Sequence, residues 1–201
     1  MAKGKEPKMQ TGLVTDPPVP SIPISVKGRG EEIVEMAGRF VGLFEVKSNA
    51  DWEGAEPEVE SELIKGMKAV GWQSGWAYCM AFVSFIYRSV YGVDCKAIAP
   101  LIGVSVLDSF SRISAAGLRT LEPVPGAVFF LQSGSRWQGH AGIVTKLEDG
   151  VLRTIEANTS PQFDLTASQR EGDGIYERTR VLAHFKDPTK LHLLGYFNPP
   201  D

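Results

Sequence analysis

Two residues of this 201-residue chain have the types needed for nucleophilic acyl chemistry: Cys79 in "YCMAFVSFIYR" and His140 in "GHAGIV". A cysteine attacks as thiolate, and the start of a helix favours thiolate through its partial positive charge and its unpaired N–H groups. Cys79, Phe82, Val83, Ile86 and Val90 recur at i, i+3, i+4, i+7 and i+11, which predicts a helix with Cys79 in its first turn and Ser84, Tyr87, Arg88 and Tyr91 on its other face. The N–H groups there also suit an oxyanion. Taken alone, the apolar stripe favours a buried core cysteine, since free cysteine is among the most buried residue types.

A thiol nucleophile needs an imidazole to take its proton and a third group to orient the ring. Of the three histidines, His184 and His192 lie among charged residues near the C-terminus and read as surface or structural positions. His140 follows a loop containing Ser133, Gly134, Ser135 and Gly139, which leaves room for a substrate, and it opens a strand. Glu156 and Asn158 in "VLRTIEAN" can reach it if the hairpin has the right parity. Closure through the two residues Asp149-Gly150 turns both away from His140. A three-residue loop, Glu148-Asp149-Gly150, sets His140 opposite Asn158 with Glu156 as diagonal neighbour. Glu-Asp-Gly suits the three-residue loop, with either Glu156 or Asn158 as the orienting group.

Residues 1–30 carry Pro7, Pro17, Pro18, Pro20 and Pro23 without sustained periodicity and read as a flexible Pro-rich arm; residues 31–201 form the folded domain. Ile33, Val34, Ala37, Phe40, Val41 and Phe44 predict a first helix, and Leu63, Met67 and Val70 a second ending at Gly71. The acidic stretch 51–62 reads as a solvated loop and helix start, since it lacks the ligand spacing of a calcium loop. Strand patterns at 126–132, 140–148 and 151–158 follow, so helices precede an antiparallel sheet: an α+β domain.

A formal net charge of −3 with no basic stretch argues against nucleic acid as a partner. Two cysteines, 79 and 95, are too few for a disulfide framework and lack zinc-ligand spacing, so the thiols are read as free and no metal is expected. No apolar run suits a signal peptide or a membrane span, which predicts synthesis in the cytoplasm.

"YCMAFVSF", "PGAVFF", "GHAGIV" and "IEAN", in that order, resemble the successive motifs of CHAP domains, cysteine- and histidine-dependent peptidoglycan hydrolases related to NlpC/P60 proteins and to papain; "REGDGIYERTR" resembles a loop and strand of some members. The resemblance implies a papain-like fold with Cys79 as nucleophile, His140 as base and acid, Glu156 as orienting acid and Asn158 as polar support. Gln73, six residues before Cys79, stands where papain relatives carry an oxyanion glutamine. Trp76 and Tyr78 stand where members carry aromatics, as packing residues or substrate walls, and Trp137 lines the cleft or caps the sheet. Ala127 replaces the Asp that often follows Pro-Gly. Peptidoglycan is the implied substrate, cut by a peptidase or amidase without cofactor. The enzyme would reach the wall through lysis, a virion or a secretion route, with the arm available for a docking partner. Rival readings are a cysteine amidase on a non-wall amide and an idle binding module of the same fold.

Overall fold

The computed structural model describes residues 28–49, 51–160 and 172–200. The Pro-rich arm therefore lies outside the described residues except at its last three positions. Helix α1 (Arg29–Gly38) already begins within them. It buries Ile33 and Ala37 but is shorter than the apolar spacing predicts: Phe40 packs in the core beyond its end, and Phe44 enters strand β1 (Phe44–Glu45). β1 pairs with β2 (Trp52–Glu53), so the acidic stretch opens with a strand. Helix α2 (Pro57–Ala69) starts on Pro57 with Glu58 and Glu60 in its first turn, where a missing N–H costs nothing and carboxylates meet the positive helix end.

Helix α3 (Cys79–Tyr91) begins at the predicted residue, but its expected polar face is not there. Residues 79–87 are all buried, Ser84 and Tyr87 included, because α1 and α2 pack on one side of the helix and the sheet on the other. The Tyr87 hydroxyl is satisfied by donating to Gly126 O at 2.6 Å. Helix α4 (Val106–Ala115), capped by Ser105, which accepts from the Asp108 N–H, lies over the next two strands.

The sheet is antiparallel and larger than the three strand patterns suggested. After β3 (Arg119–Thr120) come β4 (Val128–Ser133), β5 (Gly139–Glu148), β6 (Val151–Thr159), β7 (Gly174–Val181) and β8 (Leu191–Phe197), in the order β2-β1-β7-β6-β5-β4-β8-β3. Phe130, Ala141, Ile143, Ile155 and Ala157 belong to the core cluster that includes α3. Phe129, Leu131, Val144, Leu152 and Tyr196 form a second cluster with Leu182 and Phe185 from a short 3₁₀ turn. The architecture is mixed α and β, four helices with an antiparallel sheet, and it is compatible with a CHAP domain.

The β5–β6 hairpin corrects the expected loop. Glu148 pairs with Val151, so the chain reverses through the two residues Asp149 and Gly150, both with positive φ (50° and 74°), as a tight hairpin turn requires. The parity changes after three regular pairs. A bulge at Thr145 lets Lys146 face Arg153 while Val144 faces Thr154, which moves the inner half of β5 onto the face that carries Glu156. A second irregularity between Ala157 and Thr159 takes Asn158 out of the β6–β7 ladder with φ 57°.

Candidate active site

Cys79 is the first residue of α3, preceded by Tyr78 with no side-chain cap. The first intrahelical bond runs from the Phe82 N–H to Tyr78 O, which leaves the N–H groups at the head of the helix for other acceptors. Cys79 is only 5% exposed, yet it lines a cleft of about 550 Å³ with Gly75, Trp76, Ala77, Ser105, Trp137 and Gln138 among its walls. The two readings of this cysteine are thus reconciled: it is packed into the core and open to a cleft at one point. Burial by itself pushes its thiol up. The interaction with His140, together with the Ala141 and Met80 backbone, outweighs that and brings it below its ordinary value.

His140 is buried at the start of β5, where Gly139 is pressed against Leu131 O and the Val106 side chain. Its Nε2 lies 2.8 Å from Glu156 Oε2. Nδ1 is buried without a partner of hydrogen-bond geometry, leaving it for the thiol. Burial lowers the imidazole; interactions with Cys79 and Glu156 override it, so the ring is raised above its usual value. Both shifts favour passage of the thiol proton to the ring.

Glu156 is fully buried, and every side of its carboxylate is occupied. Oε1 accepts from Thr154 Oγ1 and Arg180 Nε, each at 2.5 Å; Oε2 accepts from Arg180 Nη2 and meets His140. Burial pushes the carboxyl up, but the Arg180 charge and these hydrogen bonds hold it well below the carboxylate range. Gly142 makes the approach feasible, since a Cβ there would stand 2.8 Å from Glu156 Cγ and 2.7 Å from the Phe129 ring.

Of the two candidates for orienting group, Glu156 is thus the one against the ring nitrogen. Asn158 lies 80 residues from Tyr78 in sequence, and its Oδ1 accepts from the Tyr78 N–H at 3.3 Å, tying β6 to the residue before the cysteine. Trp76 and Trp137 stand at the cleft with 47% and 81% exposure. Tyr78 does not line the cleft: it is sealed, its ring edge-on to Trp52 and Trp72, so packing is its place in the structure. Gln73 is exposed in the preceding loop, its carbonyl accepting from the Trp76 N–H at 3.1 Å, and is not among the cleft residues. The carboxamide that does line the cleft is Gln138, whose Oε1 is buried with no hydrogen-bond partner.

Arg180, Thr154 and Gln138 were not identifiable from the sequence. The only signal for Arg180 is the "RTR" alternation in β7, which sets Arg178 and Arg180 on one face. Register puts Arg180 opposite Leu152, and its long side chain reaches back along the sheet to Glu156.

The structure thus brings together a thiol at a helix start, an imidazole on the adjoining strand and a buried carboxylate behind it. Residues 69–158 match the family model of the CHAP domain, a span that contains Cys79, His140, Glu156 and Asn158. The papain-like and NlpC/P60 relation is consistent with that match. CHAP domains are generally hydrolytic amidases or peptidases, and the match points to a peptidoglycan hydrolase or amidase. No curated protein matches the chain.

Proposed function

We propose that the chain hydrolyses an amide bond of peptidoglycan by a cysteine mechanism, with Cys79 as nucleophile, His140 as general base and acid, and Glu156 as the group that orients His140. The observation that carries this reading is the His140 Nε2 to Glu156 Oε2 contact at 2.8 Å on a ring that also acts on Cys79. An ionised Glu156 accepts the Nε2 proton, so a neutral ring presents its lone pair at Nδ1, where the thiol proton goes.

The Cys79 thiolate adds to the amide carbon, and the carbonyl electrons move onto oxygen, stabilised by N–H groups at the head of α3. Collapse breaks the C–N bond as His140 Nδ1–H protonates the leaving nitrogen, giving a thioester and free amine. Water then attacks the thioester carbon while Nδ1 takes its proton. The second collapse expels the thiolate, and the proton returns to the Cys79–His140 pair. Trp76 and Trp137 offer planar walls for the substrate, and Gln138 an amide for hydrogen bonding within the cleft. Asn158 supports the Tyr78 backbone next to the nucleophile. Action at the wall follows lysis, virion entry or secretion, with the N-terminal arm as a docking segment. No helix among the described residues is long and apolar enough to cross a membrane.

Mass spectrometry of purified peptidoglycan after incubation with wild type, Cys79→Ala and His140→Ala tests the reading. New fragments with an added water and a free amine or carboxyl at one defined bond are expected from wild type alone. Equal release by Cys79→Ala would eliminate the thiol mechanism.

A further inference from the structure

We infer that Arg180 is a positioning residue of this site: by gripping both oxygens of Glu156 it fixes the carboxylate against His140 and completes an electrically neutral chain of four groups. The inference rests on the cysteine-hydrolase reading above.

The grip is bidentate, Nε to Oε1 at 2.5 Å and Nη2 to Oε2, which sets the plane of the carboxylate as well as its place. The guanidinium is itself clamped. Its centre lies 5.6 Å from the Phe129 ring and 5.5 Å from the Phe185 ring, and the residue is only 4% exposed. Thr154 then adds its hydroxyl at Oε1, so the only direction left for Oε2 is toward His140 Nε2. Thiolate, imidazolium, carboxylate and guanidinium in sequence cancel one another, and Arg178, also buried on β7, adds a further positive charge that acts on Glu156 and Arg180. Without Arg180 the carboxylate loses its bidentate cation and is left with the charge of Arg178, which is buried on the same strand and does not grip it, so ionisation of the thiol is opposed and protonation of the carboxyl that must accept from the ring is favoured. A purely structural salt bridge would leave the ionisation of Cys79 alone.

The test compares Arg180→Met, Arg180→Lys, Glu156→Gln and the double variant Glu156→Gln/Arg180→Met. The rate of iodoacetamide modification is followed against pH and read at the Cys79 peptide, so that Cys95 is counted separately. Arg180→Met is expected to lower Cys79 reactivity near neutral pH by roughly tenfold or more and to move the acid limb of its profile to higher pH. Arg180→Lys, which keeps the charge but not the fork, is expected to hold the limb near wild type while still losing rate in peptidoglycan hydrolysis. In the Glu156→Gln background, removal of Arg180 is expected to cost little more. An unmoved acid limb in a cooperatively melting Arg180→Met, or full additivity in the double variant, overturns the inference. If Arg180→Met does not fold, Arg180→Lys decides: wild-type hydrolysis from it overturns the inference equally. Failure of the underlying reading looks different, because wild-type Cys79 would then be alkylated no faster than Cys95.

Discussion

The Cys79 sulfur sits among hydrocarbon and is still biased toward thiolate, because the His140 ring and the backbone of Ala141 and Met80 act on it. This balance predicts a bell-shaped pH profile for hydrolysis, while Cys79 alkylation follows the acid limb alone, since the thiolate persists after the ring loses its proton. The reactive pair gains on the acid side as the thiol ionises below its ordinary value, and is lost on the alkaline side as the imidazole gives up its proton above its own. His140→Ala should move the alkylation limb up to the range of an unassisted buried thiol. A sharper residue-scale test is Gly142→Ala. The added methyl group stands 2.8 Å from Glu156 Cγ, so the carboxylate must leave the ring, and kcat should fall by about 100-fold with KM little changed. Wild-type kcat from a folded Gly142→Ala would show that the Glu156 placement is not needed. At this scale Cys79, His140 and Glu156 were legible because each sits beside a local signal: an apolar helical stripe, a strand start after glycine, and one hairpin. Arg180 was not, since nothing local ties a β7 arginine to a β6 carboxylate several rungs away.

Among the elements, the β5–β6 hairpin decides which residues share a face. The required parity was right, but the stated cause was wrong. Asp149-Gly150 makes a two-residue turn, and the extra residue is absorbed at Thr145 instead. No sequence rule places a bulge at a threonine within an alternating strand; the twist and the neighbouring strands do so. Helix α3 shows the same limit, its length and start being written in spacing while its burial on all sides required α1, α2 and the sheet to be assembled. One contact fixes that assembly. Gly126 has φ +84°, a Cβ on it would stand 2.6 Å from Gly30 Cα in α1, and its carbonyl accepts from Tyr87 of α3. Gly126→Ala should therefore cost about 1–3 kcal/mol, read as a Tm lower by several degrees in calorimetry. An unchanged Tm would mean that this junction yields more readily than its geometry suggests.

For the whole molecule, the buried Glu156–Arg180 pair couples the site to global stability. The carboxyl is depressed in the folded chain, so its contribution is complete above the ordinary carboxylate range and is withdrawn as pH falls below that range, where the unfolded chain takes up a proton and the folded one does not. Across that acid range wild type should lose up to about 1.4 kcal/mol per pH unit more than Glu156→Gln in urea titrations. Parallel acid curves for the two proteins would remove this linkage.

By itself the sequence determined the helix that begins on Cys79, the strand that begins on His140, the α+β class and the order of the motifs, because each depends on spacing within one segment. Only the tertiary structure decided that Glu156 meets the ring, that Asn158 instead accepts from the Tyr78 N–H, that Gln138 lines the cleft in place of Gln73, and that Arg180 grips both oxygens of Glu156. Those outcomes depend on bulges, strand order and the reach of long side chains between distant segments, and such quantities are set by packing the whole chain at once.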